Sequence, residues 1–341
     1  MTIQPLNIQG EVDSNSPNTT NRTVDLYEVP QFQKVICYIF FIISLVLVAG
    51  NYFVFRTVRD GRHMRTATNS YIANMAIAAI VIQLSGICNF QAVIFHIGIL
   101  PAFMCGFCTF VHVTSMNVSV LNLVAVEVNR YRVGMKNIKT QRAKQISKRA
   151  IFFLWISGAL LAVPYAYATP SVNQVDTETE ENFKRSCKPI GSSDDRWKAY
   201  ICILIFIQYI APLFAITFIY FSIALKFKAA PVPESVENTR RKELLNTRKK
   251  AINTLRLVLC LFAFCWCPLH IINFIEEIFP NTKSLQYIDV GWVFSHWLGT
   301  SSACCYAFIY AICNKRFLRE ISEKHEFLKK CSPCLFKEDS E

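Results

Sequence analysis

Charged residues are scarce in this sequence, at 18% of its 341 residues, whereas hydrophobic residues make up 52%. Soluble globular domains carry about 25% charged residues, so the composition excludes an ordinary soluble domain. The charges that do occur are grouped in short segments between long apolar runs. This pattern predicts a membrane protein that crosses the bilayer several times.

Features of several other protein classes are absent. The first thirty residues contain no apolar run, so no cleavable signal peptide is expected, and the first apolar helix would serve as the insertion signal. No cluster of metal ligands, nucleophile–base pair or phosphate-binding loop is found, so we expect neither an enzyme nor a cofactor or metal site. Most of the 14 cysteines lie inside apolar runs, which argues against a secreted disulfide framework.

The positive charge lies where membrane topology would require it. A net charge of +12 would be compatible with nucleic-acid binding, but the basic residues stand in the first, third and fifth connections between apolar runs. The N-terminal region and the second and sixth connections are neutral or acidic. By the positive-inside rule, the N-terminus lies outside the cell and the C-terminus inside. No nucleic-acid partner is expected.

Seven apolar runs predict an all-α membrane protein, a bundle of seven transmembrane helices. A helix rises about 1.5 Å per residue, so each run is long enough to cross a bilayer. An odd number of spans argues against the two equal repeats of many transporters. The runs cover roughly residues 33–58, 67–94, 102–133, 149–169, 198–226, 249–278 and 286–312.

The N-terminal region, residues 1–31, is polar and aperiodic, which is typical of a disordered tail. It contains two acceptor sequons, at Asn18 and Asn21, so an extracellular tail would be glycosylated there. Residues 32–313 would then form the membrane domain.

The C-terminal region, residues 314–341, begins with charged and apolar residues that alternate at helical spacing. This pattern predicts a short amphipathic helix on the inner face of the membrane. Cys331 and Cys334 follow, next to two lysines, and are candidates for palmitoylation. Unmodified cysteines are the alternative.

Six short motifs stand at characteristic places in the apolar runs. They are Gly50-Asn51, Asn74-Met75-Ala76, Asn129-Arg130-Tyr131, Trp155 with Pro164, Pro212 with Tyr220, and the run from Phe262 to Pro268. In order and spacing, and over essentially the full length of the chain, they resemble the motifs of rhodopsin-like (class A) G-protein-coupled receptors. The resemblance implies a multi-pass receptor of the plasma membrane that passes an extracellular signal to a heterotrimeric G protein.

The resemblance also implies a moving part in the sixth helix. Trp266 would lie at the bottom of a ligand cavity, with Phe262 below it against Pro212 and Val120. Pro268 removes a backbone donor and would kink the helix. Ordinary packing of two aromatic side chains is the alternative.

At the other end of the bundle, the resemblance implies a contact with the G protein. Arg130 would be a charged group that is released toward the G protein when helix six moves outward. The alternative is that Arg130 only sets the membrane topology, with its charged end reaching the aqueous interface. Family members carry an acid directly before this arginine, where Asn129 stands here and cannot form the ion pair. We therefore expect a weakly latched receptor with raised basal activity. The predicted coupling residues are Asn129, Arg130, Tyr131, Tyr220 and Tyr310.

Two further departures concern the sodium site of the family. Ala79 replaces the aspartate of helix two, and Tyr306-Ala307 replaces the Asn-Pro of helix seven. Without a carboxylate, no monovalent cation should bind, and the Tyr306 ring is expected to fill the space. The missing proline also removes a kink from helix seven.

One disulfide is implied by the resemblance. Cys105 stands where the family has the helix-three cysteine that is bonded to the second extracellular loop, and Cys187 is the only cysteine of that loop. Cys108, one helical turn from Cys105, is the alternative cysteine for this disulfide bond.

The residues at two positions that bind ligands in other members of the family argue against two classes of ligand. His112 stands where amine receptors carry an aspartate, so a biogenic amine is not expected. Thr300 stands where opsins carry the retinal-linked lysine, so no Schiff base can form.

An amidated neuropeptide is the expected ligand. Residues 62–69 and 295–302 resemble the neuropeptide branch, with likeness to receptors for RFamide, neuropeptide Y-like and tachykinin-like peptides. An acid at the place of Glu277 pairs with a peptide arginine in some of these, and such a contact is strong and selective; a solvated helix end is the alternative. The predicted ligand residues are Glu276, Glu277, His112, Met116, His270, Asn273, Trp292 and His296.

Other classes remain open from the sequence. A divergent seven-helix receptor that acts as a decoy or heteromer partner would suit the altered sodium site. A receptor for a lipid ligand would suit a dry, apolar cavity. A transporter would require polar residues at mid-membrane depth in several helices, and the missing helix-two carboxylate counts against it.

Overall fold

Long helices account for most of the described chain. A computed structural model describes residues 30–61, 64, 66–94, 102–136, 140–168, 172–175, 183–186, 195–229, 238–279, 286–313, 317 and 320. Its seven long helical segments confirm the predicted bundle. They are α1 (Pro30–Asp60), α2 (Ala67–Ile94), α3 (Ala102–Lys136), α4 (Thr140–Tyr167), α5 (Asp195–Ala229), α6 (Asn238–Ile278) and α7 (Gln286–Ile312).

Within the described residues, α1 to α6 are each long and apolar enough to cross a membrane. Large aromatic side chains on their outer faces are strongly exposed, as shown by Phe214 and Phe264, both 75% exposed. Polar residues such as Ser295, Thr300 and Ser302 lie along α7. These three side chains are buried, so they face the bundle and not the lipid.

The core of the bundle lies between α2, α3, α6 and α7. Leu123 and Val126 of α3 pack in it with Phe262 and Trp266 of α6 and with Tyr306 of α7. All five side chains are buried almost completely. α3 runs through the core along most of its length, so it contributes buried side chains at both ends of the bundle.

Several helices extend beyond the apolar runs that predicted them. α4 begins at Thr140 and α6 at Asn238, about ten residues before the apolar runs begin. The added residues are mostly Lys, Arg, Gln, Glu and Leu, which are good helix formers. An apolar run therefore marks the membrane-embedded part of a helix and not its ends.

α5 changes its winding near the middle. A π turn at Phe206–Ile210 separates the α-helical Asp195–Ile205 from Ala211–Ala229. Pro212 stands two residues after the turn ends. In an ordinary α-helix its ring would clash with the carbonyl of the residue four before it. The wider π turn relieves that clash and directs Gln208 and Tyr209 into the bundle, where both form hydrogen bonds.

A short hairpin between α4 and α5 was not predicted. Its strands β1 (Val172–Val175) and β2 (Phe183–Ser186) pair antiparallel, with Val172 opposite Ser186 and Val175 opposite Phe183. Four-residue strands have too few alternating positions to be recognised from sequence.

The predicted glycosylation sites, Asn18 and Asn21, lie outside the described residues, as do the palmitoylation candidates Cys331 and Cys334. Most of the predicted amphipathic helix also lies outside them. Phe317 is described, and it is buried in the main core.

Candidate functional site

The predicted site residues form two separate groups, at opposite ends of α3. We call the end with His112, His296 and the two acids of α6 the histidine end. We call the end with Arg130 and Tyr310 the arginine end.

At the histidine end, His112 joins three helices. Its Nε2 atom lies 3.0 Å from Nε2 of His296 in α7, and its Nδ1 atom lies 3.1 Å from Oγ of Ser85 in α2. The two imidazole rings are stacked, with centroids 5.0 Å apart. The sequence predicted His112 and His296 as members of one site, and the structure brings them into direct contact; it adds Ser85, which was not predicted.

Trp292 extends this group toward α6. Its ring stacks on His296 with a centroid distance of 4.9 Å, and its Nε1–H donates to Oδ1 of Asn273 at 3.0 Å. Four of the eight predicted ligand residues, His112, His296, Trp292 and Asn273, therefore form one continuous chain of contacts.

His270 forms a second part of the histidine end. Its ring lies 5.9 Å from Trp266 and 5.1 Å from Tyr209, so it is held between two aromatic side chains. The residue is 4% exposed, yet neither ring nitrogen has a hydrogen-bond partner among the described residues. Buried polar atoms without partners are costly in a protein interior, so these nitrogens are available to a ligand.

The residues of the predicted switch lie directly beneath His270. Phe262 is 6.2 Å from Trp266 and 5.8 Å from Tyr209 between ring centroids. Val120 and Met116 of α3 belong to the same buried cluster. Pro212 is also buried. Tyr209, which was not predicted, contacts both His270 and Phe262 because the π turn of α5 directs it inward.

The two acids of α6, Glu276 and Glu277, lie near the end of the helix and are partly buried. They are six and seven residues beyond His270, about 9–10 Å along a helix. Glu277 has no ion pair with a described residue. The structure therefore places both carboxylates beyond the imidazole and aromatic groups, in the direction of the helix terminus.

At this end of α3, Cys105 is disulfide-bonded, whereas Cys108 carries a thiol. The structure thus favours Cys105 over Cys108 as the helix-three cysteine of the disulfide bond. The predicted partner, Cys187, follows β2 directly in the sequence and lies outside the described residues.

The arginine end is built around an acid that the sequence-based reasoning did not assign to the site. Glu127 of α3 is fully buried, and its Oε1 atom accepts a hydrogen bond from the Tyr310 hydroxyl of α7. The same oxygen lies 3.9 Å from Nη1 of Arg130, and the guanidinium carbon of Arg130 lies 5.0 Å from the centre of the Tyr310 ring. The signal was present in the sequence, as the single acid within an apolar run, three residues before Arg130.

The other predicted coupling residues lie elsewhere. Asn129 donates from Nδ2 to Oγ1 of Thr68 in α2, at 3.1 Å. Tyr131 and Tyr220 pack against a small cluster that includes Leu255 of α6. Of the five predicted residues, the structure brings Arg130 and Tyr310 into direct contact, and it places Tyr131 and Tyr220 against one apolar cluster.

The structure describes both positions at which the sequence departs from the sodium site implied by the resemblance. Ala79 and Tyr306 are both buried, and Sγ of Cys304 lies 3.9 Å from the carbonyl oxygen of Ala79. Where Ala307 replaces the proline, α7 continues as one helix from Gln286 to Ile312.

One cavity in the described part of the chain does not coincide with the predicted ligand residues. It has a volume of about 420 Å³ and lies among α3, α4 and α5, near the arginine end. Most of its lining is apolar, including Leu121, Val124 and Ile146. None of the eight predicted ligand residues lines it, so we assign the ligand site from side-chain contacts at the histidine end.

Comparison with known proteins gives consistent matches. A family model described as the seven-transmembrane receptor (rhodopsin family) matches residues 50–310. The substance-P receptor of Mus musculus is 28% identical over 97% of this chain and 80% of its own length. Neuropeptide receptor 22 of Caenorhabditis elegans is 28% identical over 95% of this chain and 78% of its own length. The RYamide receptor of Tribolium castaneum is 26% identical, over 89% and 82% of the two chains.

Proposed function

The chain belongs to the rhodopsin family of seven-transmembrane receptors, and we propose that it binds an extracellular amidated peptide at the histidine end and signals to a heterotrimeric G protein at the arginine end. Membership of a receptor family confirms the predicted class and the expectation that the protein is not an enzyme. The proposal places the protein in the plasma membrane with its N-terminus and histidine end outside the cell.

A peptide ligand is supported by the relatives. They include receptors for substance P and for RYamide and a nematode neuropeptide receptor, and the matches extend over most of both chains. These names do not favour a lipid ligand or a decoy role. Lipid instead enters the proposal as the surrounding membrane and as the acyl group predicted at Cys331 or Cys334.

One observation carries the choice of peptide chemistry. Glu276 and Glu277 lie about two turns beyond His270 on α6, and both ring nitrogens of His270 are buried without hydrogen-bond partners among the described residues. A peptide arginine would form a bidentate contact with Glu277. The neighbouring amidated terminus would reach His270, Asn273 and His296, whose rings and amide can donate and accept hydrogen bonds.

Transmission would begin at His270. A ligand bound to this ring would press on Trp266, which contacts Phe262 one turn further along α6. Pro268 lies between His270 and Trp266 and lacks a backbone donor, so the helix can bend there. The resulting outward movement of the other end of α6 is the proposed signal to the G protein.

The experiment is a double-mutant cycle with amidated peptides. A panel of peptides with arginine next to the amidated residue would first be screened with a promiscuous G-protein readout. The active peptide would then be compared with its citrulline analogue on the wild type and on Glu277→Gln. We expect the analogue to lose about ten-fold in potency on the wild type, equivalent to about 1.4 kcal/mol, and little on the variant.

The control is Glu276→Gln, which removes the neighbouring charge and should leave the citrulline effect in place. An equal loss of potency on the wild type and on Glu277→Gln would contradict the assigned contact. Absence of a response to every peptide would contradict the proposed agonist class and favour the decoy alternative.

A further inference from the structure

The arginine of the coupling end has an acidic partner on its own helix. Glu127 stands three residues before Arg130, a spacing that places both side chains on the same face of α3. The carboxylate oxygen lies 3.9 Å from the guanidinium nitrogen. Within the part of the chain that the structure describes, no other acid forms an ion pair with Arg130.

Tyr310 closes this contact from α7. Its hydroxyl donates to the same carboxylate oxygen of Glu127, while its ring lies beneath the guanidinium of Arg130, at 5.0 Å from the ring centre. A cation over an aromatic face is attracted to it, and the attraction increases when the pair is shielded from water. The three side chains therefore form a closed triangle in which every pair is in contact.

Asn129, directly before Arg130, does not pair with the arginine. Asn129 carries no charge, and its amide donates to Thr68 of α2, away from the arginine. Glu127 is fully buried, and a buried carboxylate is stable only when it is paired and hydrogen-bonded. Tyr310 donates a hydrogen bond to Oε1 and Arg130 brings a positive charge to 3.9 Å, whereas Oε2 has no hydrogen-bond partner among the described residues.

We infer that Glu127 is the positioning residue that restrains Arg130 in this receptor, and that Glu127, Arg130 and Tyr310 form a latch between α3 and α7. We call this set the inner latch. It takes over the restraint that the acid before the arginine provides in other members of the family. The receptor is therefore held in its resting state, in place of the weak latch expected from Asn129 alone.

The inner latch has a consequence for the route of activation. Release of Arg130 requires that the Tyr310 hydroxyl leave Glu127, so α7 must shift as well as α6. Because α7 has no proline at Ala307 and runs unbroken, Tyr310 moves with the whole end of that helix. The inference rests on the proposed coupling to a G protein, since that is what makes Arg130 the group to be released.

The test uses the full receptor in nanodiscs without any peptide. Glu127→Gln keeps the shape of the side chain and an acceptor for Tyr310 but removes the charge that attracts Arg130. Tyr310→Phe keeps the ring under the guanidinium and removes only the hydroxyl. Asp60→Asn is the matched control, because it removes a carboxylate that pairs with Arg56 on α1 at 3.1 Å.

Binding of engineered Gα subunits from each G-protein class would be measured for each variant. We expect Glu127→Gln to raise ligand-free binding about ten-fold, the change that follows loss of one charge-assisted contact. Tyr310→Phe should give a smaller rise, and Asp60→Asn should give none. Adding Asn129→Asp to Glu127→Gln restores an acid beside Arg130 and should return binding toward the wild-type level, which a merely structural role would not explain.

A second readout separates failure of the latch from failure of coupling. Spin labels at the exposed positions Gln145 in α4 and Leu244 in α6 would report the distance between these helices without any G protein. A shift of Glu127→Gln toward longer distances supports the inner latch even if no Gα subunit binds. An unchanged distance distribution, or a lower unfolding temperature with no gain in binding or distance, would overturn it.

Discussion

The histidine end and the arginine end of the bundle use their polar side chains in opposite ways. At the histidine end, rings and amides link α2, α3, α6 and α7, while the two nitrogens of His270 have no partner among the described residues. At the arginine end, Glu127, Arg130 and Tyr310 are directed at one another. The polar contacts of the histidine end therefore connect four helices, whereas those of the arginine end connect α3 with α7.

The difference shows how one helix can serve two tasks. α3 supplies His112 and Met116 to the histidine end and Glu127 and Arg130 to the arginine end. The buried polar side chains between them include Asn117 and Asn122, whose amides donate to the carbonyl oxygens of Gly158 and Tyr71 and not to the polar groups of either end. Recognition and restraint can therefore be altered separately by mutation.

The largest effect is expected from a change that damages both ends together. Gly158 of α4 lies against α3, and a Cβ atom placed there would come within 2.9 Å of Val118 Cγ2 and 3.1 Å of the carbonyl oxygen of Thr114. Gly158→Ala should force α4 away from α3, at a cost of about 1–3 kcal/mol for overpacking. Thermal unfolding of the purified receptor would measure it.

Gly299→Ala is the control for this experiment. Its added Cβ would lie 3.6 Å from the Trp266 ring, which is ordinary contact, so its unfolding temperature should be close to that of the wild type. Equal unfolding temperatures for Gly158→Ala and the wild type would show that α3 and α4 are not held at this distance.

A smaller effect, confined to the histidine end, is expected from His296→Phe. The variant keeps a ring to stack on Trp292 but loses the 3.0 Å contact with His112. A hydrogen bond contributes about 0.5–1.5 kcal/mol, so peptide potency should fall about three- to ten-fold. Ligand-free activation should be unchanged, because the inner latch is intact.

Phe294→Leu is a suitable control for His296→Phe, since Phe294 is exposed on the same helix, two residues away. A rise in ligand-free activation in His296→Phe would break the separation between the two ends.

The fold was largely predictable from the sequence because it depends on local patterns. Each apolar run is long enough to identify a membrane helix, and each of the first six runs contains one of the six motifs. The predicted starts of α4 and α6 are late because residues such as Arg142 and Arg248 continue a helix without being apolar. The π turn of α5 was missed, although Pro212 marks the place.

Site residues were predictable from the sequence where a local motif identifies the position, but contacts between residues far apart in the sequence were not. His112, His270 and Trp266 were placed by the motifs around them. The contact between His112 and His296 joins residues 184 positions apart, and the bond between Glu127 and Tyr310 joins residues 183 positions apart. Both depend on how closely α7 approaches α3, which no local pattern specifies.

The smallest expected effect is that of sodium. Ala79 offers no carboxylate, and Tyr306, which stands where the resemblance implies an asparagine, is buried. Peptide affinity should be the same in sodium as in an equal concentration of a bulky organic cation, measured in membranes that contain the receptor. A decrease specific to sodium would show that a cation still binds in the bundle.

The most direct test of the division between the two ends is ligand-free G-protein activation in Glu277→Gln and Glu127→Gln, measured side by side at equal surface expression. We predict the wild-type level for Glu277→Gln and a level about ten-fold higher for Glu127→Gln, the change expected for loss of about 1.4 kcal/mol from the resting state. Equal activation in the two variants, or a decrease in Glu127→Gln, would contradict the account.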